Sequence, residues 1–366
     1  MASETDPFIQ SDDETLKNRL GIENDPEALK FLERLHSGDR GRTVNEEATG
    51  NFDADHLRAI HHHLFQDVYE WAGTMRSDTI MLEGEQINVP AAVPSLSKGS
   101  TEFLASAYVE RGSAHVAELA NSTGALSPDP AEFADTAGEV FSALNHVHPF
   151  REGNGRTQRA FMVQLAERAG HTLDFAGVTG ERMVEACIEA SNGDTGPLRD
   201  IIAESIDPDR VALRIEAFST LERSGVEADG FWIETASPGD RIEAIFLDRH
   251  ETHLTVVTDE NHFIAMPTDA LPGHVGRGDP VDMVYSPPAR VVEHIARPDL
   301  EGLNGAIQSA WADIQDMAPG AERDQLASDF IDRLNELPPD LREEVMQRLE
   351  PEQRSASRAD DHDLGL

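Results

Sequence analysis

Lysine is scarce in this chain: among 366 residues and thirty cations only Lys17, Lys30 and Lys98 are lysine, and sixty-nine carboxylates oppose them for a formal charge of -39. So acidic a chain repels polyphosphate backbones and anionic membrane surfaces, which argues against nucleic-acid or membrane partners unless a local basic patch intervenes. Cysteine is nearly absent. A single Cys187 excludes an internal disulfide and a cysteine-built zinc site, and it fits a reducing compartment. No apolar run approaches the ~20 residues of a bilayer span, and the opening MASETDPFIQSDDET has neither a basic nor an apolar leader region. The expectation is a soluble, cytoplasmic protein with no nucleic-acid and no membrane partner; export by a specialised secretion route needs no such leader and stays open. The length exceeds one ordinary core and predicts two or three domains.

What is present is organised in three parts. From Thr15 to about Ile206 apolar residues recur at helical spacing. Phe52, Leu57, Ile60, Leu64, Val68 and Trp71 make one stripe that Gly73 ends; Phe133, Ala137, Val140, Phe141 and Leu144 make another that Pro149 stops; Phe161, Leu165 and Ala169 make a third, closed by Gly170. Between the first two, SDTIMLEGEQINVP reads as two β arms around Gly84, the one convincing strand pair of this half. After Pro208 a short helical link (Val211 to Leu221) leads into five strand-like runs, GFWIETA, RIEAIFLD, HLTVVTD, HFIAMP and PVDMVYS, separated by Gly/Pro/Asp turns, which predict a small barrel. Beyond Arg297 the pattern is helical again, with stripes at Leu326, Phe330, Leu334 and at Leu341, Val345, Leu349, and the polar end from Gln353 predicts disorder.

The chemistry concentrates in NHVHPFREGNGRTQRAFM, from Asn145 to Met162. Gly153-Asn154-Gly155 at a helix start exposes backbone N–H groups at the positive end of the helix dipole, which is an anion seat. Arg156 and Arg159, three apart, can grip neighbouring phosphates with planar forks. Glu152 is a hard oxygen donor suited to Mg²⁺ held against those phosphates. His148 titrates near neutrality and can take a proton from an attacking hydroxyl. Base, metal and phosphate cradle together fit phosphoryl or nucleotidyl transfer. Each element alone is more often bland: a Gly-Asn-Gly is usually a turn, two helical arginines are usually solvated, a lone histidine is usually structural. Their order across one helix boundary favours the chemical reading.

HPFREGNGRTQR resembles the signature of the Fic family, His-Pro-Phe-x-(Asp/Glu)-Gly-Asn-Gly-Arg-x-x-Arg, at every specified position. LKNRLGIENDPEAL and HLRAIHHHLFQDVYEWAGTMRS extend the likeness over about Thr15 to Ile206. The resemblance implies an all-helical catalytic core that moves AMP from ATP, with Mg²⁺, onto a Ser, Thr or Tyr hydroxyl of a target protein. It implies His148 as the base, Glu152 as the metal holder, Gly153, Asn154 and Gly155 as the phosphate seat, Arg156 and Arg159 on the β and γ groups, and Phe150 packed inward to place the loop. It also implies that the Asp78 to Val89 hairpin is the flap along which the target docks by strand addition. The intact Gly-Asn-Gly-Arg departs from the Doc branch, which has Lys for the second glycine and phosphorylates its target. Asp is common where this chain has Glu152, so another nucleotide donor remains an alternative, as does a non-enzymatic nucleotide- or protein-binding module.

Many family members are silenced by a helix carrying Ser/Thr-x-x-x-Glu-Gly/Asn. That pattern occurs here only at Thr79 to Gly84, inside the expected hairpin, so restraint by a separate small antitoxin-like partner, or none, is expected. A rival reading gathers His61, His62, His63, His146, His148 and Glu152 into a metal-dependent hydrolase site, but three consecutive residues at ~100° per residue on a helix cannot all face one ion. The strand-rich region faintly resembles the OB-type barrel that follows the Fic domain in some bacterial effectors. From Val226 to Tyr285 it carries three arginines and no lysine against twelve acidic residues, the wrong balance for nucleic acid. The expected fold is thus multi-domain and mainly α: a flexible N-terminus (1–14), a Fic helical bundle with a hairpin flap (15–206), a helical linker (207–225), a small OB-like β-barrel (226–297), C-terminal helices (298–352) and a disordered tail (353–366).

Overall fold

A computed structural model describes residues 6–10, 14–99, 101–225 and 227–287; the expected C-terminal helices and tail lie outside the described residues. The helices are α1 (Pro26–Gly41), α2 (Val44–Glu47), α3 (Ala54–Phe65), α4 (Val89–Ala92), α5 (Val109–Ala120), α6 (Pro130–Val147), α7 (Asn154–Ala169), α8 (Gly180–Ser191), α9 (Gly196–Ser205) and α10 (Pro208–Arg223). The strands are β1 (Thr79–Leu82), β2 (Glu85–Asn88), β3 (Ser97–Lys98), β4 (Thr101–Glu102), β5 (Ile233–Thr235), β6 (Arg241–Arg249), β7 (His253–Val257), β8 (Phe263–Pro267) and β9 (Pro280–Val284). Local chemistry sets the helix starts. Asp25, Asp53, Asp129, Thr179 and Asp207 cap α1, α3, α6, α8 and α10 through side-chain oxygens. Proline follows the cap in α1, α6 and α10, where its missing N–H costs nothing.

Helix α6 is the centre of the helical body, packed by α5, α7 and α9. Its stripe of Phe133, Ala137, Val140, Phe141 and Leu144 is buried throughout, and so are Phe161 and Leu165 on α7. The stripe from Phe52 to Trp71 is buried too, but it is not one helix. α3 stops at Phe65, and the N–H groups of Val68 and Tyr69 both turn back to the Phe65 carbonyl. Burial followed the apolar spacing where helical hydrogen bonding did not. Phe8 belongs to the stretch expected to be flexible, yet it is 2% exposed and sits edge-on to Trp71.

β1 and β2 form the expected hairpin, Leu82 opposite Glu85, closed by Glu83 and Gly84 at φ 52 and 84, the left-handed pair that suits a two-residue turn. A second, shorter hairpin pairs Ser97 with Glu102 and Lys98 with Thr101; sequence reasoning did not anticipate it.

All five strand-like runs beyond Pro208 are strands, but among the described residues they do not close into the expected OB-like barrel. They form an open sheet in the order β5-β8-β7-β6-β9, with β5 parallel to β8 and the other pairs antiparallel. The cause lies on the outer edge of β5. Thr235 N–H donates to Glu204 on α9 at 3.0 Å, the Ile233 carbonyl accepts from Arg182 on α8 at 2.9 Å, and the Thr235 carbonyl accepts from Arg210 on α10 at 2.9 Å. Closure would require those groups to pair with β9, and buried side chains of the helical body already satisfy them. α10 is correspondingly more than a link, since Ala217, Phe218 and Leu221 pack with Ile233, Phe263 and Ala265 of the sheet. No helix among the described residues is long and apolar enough to cross a membrane.

Candidate active site

His148 caps the C-terminus of α6 in the left-handed conformation, φ 43, with its N–H on the Leu144 carbonyl. Pro149 then turns the chain into a loop that is fastened from four sides. Phe150 is buried and stacks on His61 with ring centroids 3.9 Å apart. Asn154 staples the loop to itself: its Oδ1 accepts from Phe150 N–H and its Nδ2 donates to the Phe150 carbonyl, both at 2.9 Å. Gly153 has φ 80, and a Cβ there would lie 2.4 Å from the Phe65 ring, so both backbone and packing require glycine. From α3, His61 completes the set. Its Nδ1 accepts from Gly73 N–H at 2.8 Å, which leaves the proton on Nε2 to bond the Glu152 carbonyl at 3.0 Å. Burial, with the Arg156 charge adding to it, pushes the His61 pKa down to about 3, so the ring is a neutral spacer and not an acid–base group.

The carbonyls that leave α6 converge on one cation. Arg76 is 1% exposed; its Nε donates to the His148 carbonyl and its Nη2 to those of Val147 and Leu104, each at 2.9 Å, while Nη1 meets Ser106 at 2.8 Å. Its own N–H bonds the Pro149 carbonyl at 2.7 Å. Burial, and then the charge of Arg151, lowers its pKa to about 10, so it remains a cation at the helix C-terminus, where the dipole favours positive charge.

The His148 ring is half-buried. Phe103, immediately after β4, stacks on it at 3.6 Å. Nδ1 is enclosed and makes no well-formed hydrogen bond, although the Asn145 backbone is close enough to act on the ring, which leaves Nε2 as the nitrogen to meet an incoming hydroxyl. Burial first, then the charges of Arg76 and Lys98, push the pKa down to about 3, with the Asn145 backbone opposing. The ring is therefore neutral and proton-accepting at any ordinary pH, and a bound triphosphate, by its negative charge, would raise its basicity.

The remaining residues of the signature part company. Glu152 is exposed; one oxygen accepts from Gly153 N–H at 2.9 Å. Gly155 is exposed with only the Arg159 guanidinium near the position of a Cβ, at 3.6 Å, and Arg159 is itself exposed. Unlike α3 and α6, α7 has no side-chain cap over its first N–H groups. Arg156 turns inward instead, paired with Glu33 of α1 and lying 4.7 Å over the Phe65 ring. Cys187 on α8 senses Arg159 and Lys98, although burial dominates and pushes its thiol up to about 11. The three histidines of α3 go three ways: His61 to the loop, His62 to solvent, His63 to Thr43 and the Arg40 carbonyl at 3.0 Å. His146 is exposed. No group of three His, Cys, Asp or Glu among the described residues is arranged around a metal position, so the hydrolase reading has no support. Arg76, Glu33 and Phe103 escaped sequence reasoning, and His61 entered it only as a metal-ligand candidate. Arg76 and His61 lay in plain view in a stretch tied to the signature, but nothing in their spacing marks a buried clamp.

The Fic/DOC family model matches residues 51–166, from the cap of α3 into α7. A probable protein adenylyltransferase of Sinorhizobium fredii (strain NBRC 101917 / NGR234) is 35% identical over 195 residues, which cover 53% of this chain and 92% of that protein. The chain belongs to the Fic/DOC family. A longer relative, a protein adenylyltransferase of Bartonella henselae, is 31% identical over 240 residues, 64% of this chain and 43% of that protein. The adenylyltransferase VbhT of Bartonella schoenbuchensis is matched over 45% of its length, so the chain spans less than half of these longer curated relatives. Among solved structures, the type IV secretion system effector BepA superposes with a TM-score of 0.64 at 28% identity, covering 75% of this chain and 94% of that one. BepC of Bartonella tribocorum, solved with bound AMPPNP, superposes at 0.51 with 32% identity, covering 55% and 96%.

Proposed function

We propose that this chain is a protein adenylyltransferase, transferring AMP from ATP to a Ser, Thr or Tyr hydroxyl of another protein. One observation carries the reading: a neutral imidazole sits on a loop whose backbone is held by buried clamps and which leads into a helix whose first amides have no side-chain cap. Relatives named as protein adenylyltransferases and a related structure holding AMPPNP support it. In this reaction the acceptor oxygen attacks the α-phosphorus, the bond to the bridging oxygen of the β-phosphate breaks, pyrophosphate leaves, and the hydroxyl proton passes to His148 Nε2. Gly153, Asn154 and Gly155 form the phosphate seat, where the Gly153 N–H, here bonded to Glu152, would turn to the anion on binding, and Arg159 beside Gly155 meets the outer phosphates. The donor set fits Mg²⁺: Glu152 offers an exposed carboxylate next to anionic ligand oxygens, and the ion would neutralise phosphate charge there.

The target is expected to add as a strand to a hairpin edge. Sequence reasoning put that edge at Asp78 to Val89. The hairpin of β3 and β4 is the better candidate, because it runs straight into Phe103 on the His148 ring, whereas the turn of β1 and β2 is tied to Lys17 through Glu83 at 2.8 Å. Restraint falls to a separate small partner in this reading, since the one Ser/Thr-x-x-x-Glu-Gly stretch forms β1 and its turn and not a helix. Export by a secretion system, as the name of BepA states for that protein, belongs to the same reading. The test is labelling of protein by ATP tagged at the α-phosphate. His148→Ala should abolish labelling and keep nucleotide binding; a variant that still labels removes His148 from its role.

A further inference from the structure

The two arginines of the signature are equivalent in sequence and differ in environment, Arg156 half-buried and Arg159 exposed. We propose that Arg156 is a strut and not a phosphate ligand, and that Glu33 on α1, by holding it, is a positioning residue for the transfer reaction. The proposal rests on the adenylyltransferase reading and concerns which side chains set the geometry of its phosphate seat.

Arg156 is held at both terminal nitrogens and over its plane, although its side chain is 28% exposed. Nη2 pairs with one oxygen of Glu33, Nη1 donates to Ser37 at 2.6 Å, and the guanidinium plane lies 4.7 Å over Phe65. Glu33 is 5% exposed, and its second oxygen accepts from the Tyr69 hydroxyl, itself on a residue 1% exposed. Burial, and then the Glu33 charge, raise the Tyr69 pKa, so the hydroxyl keeps its proton and remains a donor. For Arg156 burial alone would lower the pKa; the charge and hydrogen bond of Glu33 more than offset it, and the cation persists. Both oxygens of a buried carboxylate and both terminal nitrogens of a guanidinium are thus satisfied. Swinging Arg156 out to a phosphate would leave Glu33 charged in a dry site with one tyrosine for company, which is strongly unfavourable.

The network is placed to act on the seat. Phe65, under the Arg156 plane, is the same ring that a Cβ on Gly153 would strike. Glu33 and Ser37 from α1, Phe65 from α3 and Tyr69 from the following turn therefore fix the first turn of α7 from beneath. Arg159, one turn on, is exposed beside Gly155 on the open side. Division of labour follows: one guanidinium orients the amides, the other meets the ligand.

The opposite assignment makes the opposite prediction. If Glu33 were an internal stand-in for phosphate, freeing Arg156 would strengthen nucleotide binding. The experiment uses the full chain with Glu33→Gln, Arg156→Gln and Arg159→Gln, AMPPNP titrated calorimetrically, and kcat and KM for α-tagged ATP, with His148→Ala as the chemistry control. A strut requires that Glu33→Gln and Arg156→Gln leave AMPPNP affinity within about twofold while kcat falls about tenfold to a hundredfold, since a small misplacement costs that much. Arg159→Gln should weaken AMPPNP about tenfold, the worth of a charged hydrogen bond. Tighter AMPPNP or faster turnover in Glu33→Gln, or a loss in Arg156→Gln as large as in Arg159→Gln, overturns the proposal. Should Glu33→Gln fail to fold, Tyr69→Phe removes one bond from the same carboxylate and must shift kcat in the same direction with binding kept. If wild-type chain labels nothing, the adenylyltransferase reading fails, and the AMPPNP comparison still decides the strut.

Discussion

Gly153 and Gly155 stand two residues apart in one turn, and the structure assigns them different physical duties that alanine substitution separates. A Cβ on Gly153 would sit 2.4 Å from Phe65 Cε2 and 2.5 Å from Cζ, at φ 80. Left-handed backbone costs a non-glycine residue about 1–2 kcal/mol, and forcing a methyl into a packed ring adds about 1–3 kcal/mol. Gly153→Ala should therefore destabilise the fold by roughly 2–5 kcal/mol, a drop in melting temperature of about 5–15 °C for a domain of this size. Gly155 is inside α7, its φ is not left-handed, and its nearest neighbour would be the end of the Arg159 side chain at 3.6 Å, an ordinary contact. Gly155→Ala should hold the wild-type melting temperature or gain up to about 1 kcal/mol from helix propensity. Its methyl stands instead on the exposed side, beside the Arg159 guanidinium, and AMPPNP affinity should fall at least about tenfold if phosphate sits there. Thermal melting and calorimetric titration of the two variants read both effects. Wild-type melting in Gly153→Ala would refute the packing argument, and wild-type AMPPNP binding by Gly155→Ala would mean that phosphate does not approach these amides.

Arg76→Met keeps length and removes the charge, stranding the carbonyls of Val147, His148 and Leu104; urea unfolding should show a loss of roughly 2–4 kcal/mol, at about 1–3 kcal/mol for each unsatisfied buried group. His61 has its pKa pushed down to about 3 when folded and titrates near 6.5 when unfolded, so the unfolded chain binds the extra proton in between. Stability should be full above pH 6.5 and fall as the pH drops, by about 2 kcal/mol at pH 5 from this residue, and His61→Gln should flatten that limb in pH-dependent melting. Glu83 is 60% exposed and bonded to Lys17 on the hairpin turn, so Glu83→Gly should leave self-labelling unchanged; a large rise would restore it as an internal inhibitor. Nucleotide association, followed by stopped flow, should quicken as salt rises from low to physiological strength, because screening removes long-range repulsion by the -39 chain; slowing would mean that a local cationic field dominates at all distances.

The helices around the site were legible because two signals agree there. The stripes of α6 and α7 repeat at helical spacing, and each ends at a residue that cannot continue, His148 before Pro149 in one and Gly170 at φ 89 in the other. Where only one signal was present, the reading erred in a definite way. Val68 and Trp71 keep the apolar spacing of α3 and are buried, yet the backbone has left the helix, because core membership depends on where a side chain points and not on its hydrogen bonds. The five strands were legible from alternation; their closure was not. The outer edge of β5 is occupied by Arg182 and Glu204, 1% and 0% exposed, which on their helices look like ordinary surface charges. Ion pairs between distant segments leave no periodic trace, and the Glu33–Arg156 strut was hidden for the same reason. The short hairpin of β3 and β4 was missed because two residues per strand are too few to alternate.

The proposed function asks an acidic chain to hold a polyphosphate, and among the described residues several arginines are committed to pairs with carboxylates of the same chain. Arg40 with Asp67, Arg58 with Asp78, Arg182 with Glu204 and Arg156 with Glu33 each cancel locally. Arg76 is bonded to carbonyl and hydroxyl oxygens at the end of α6, next to the carbonyl of the base. In the proposed function, what faces a ligand is then set within a few ångströms by the amides of α7, by Arg159 beside Gly155 and by Lys98 on β3, one of three lysines in the chain. At physiological ionic strength charges beyond ~8 Å are largely screened, so the net charge governs approach while these few groups govern grip. The surplus of carboxylates elsewhere is compatible with the proposed nucleotide binding for that reason, and that proposal rests on the buried clamps that hold the backbone of the loop between α6 and α7.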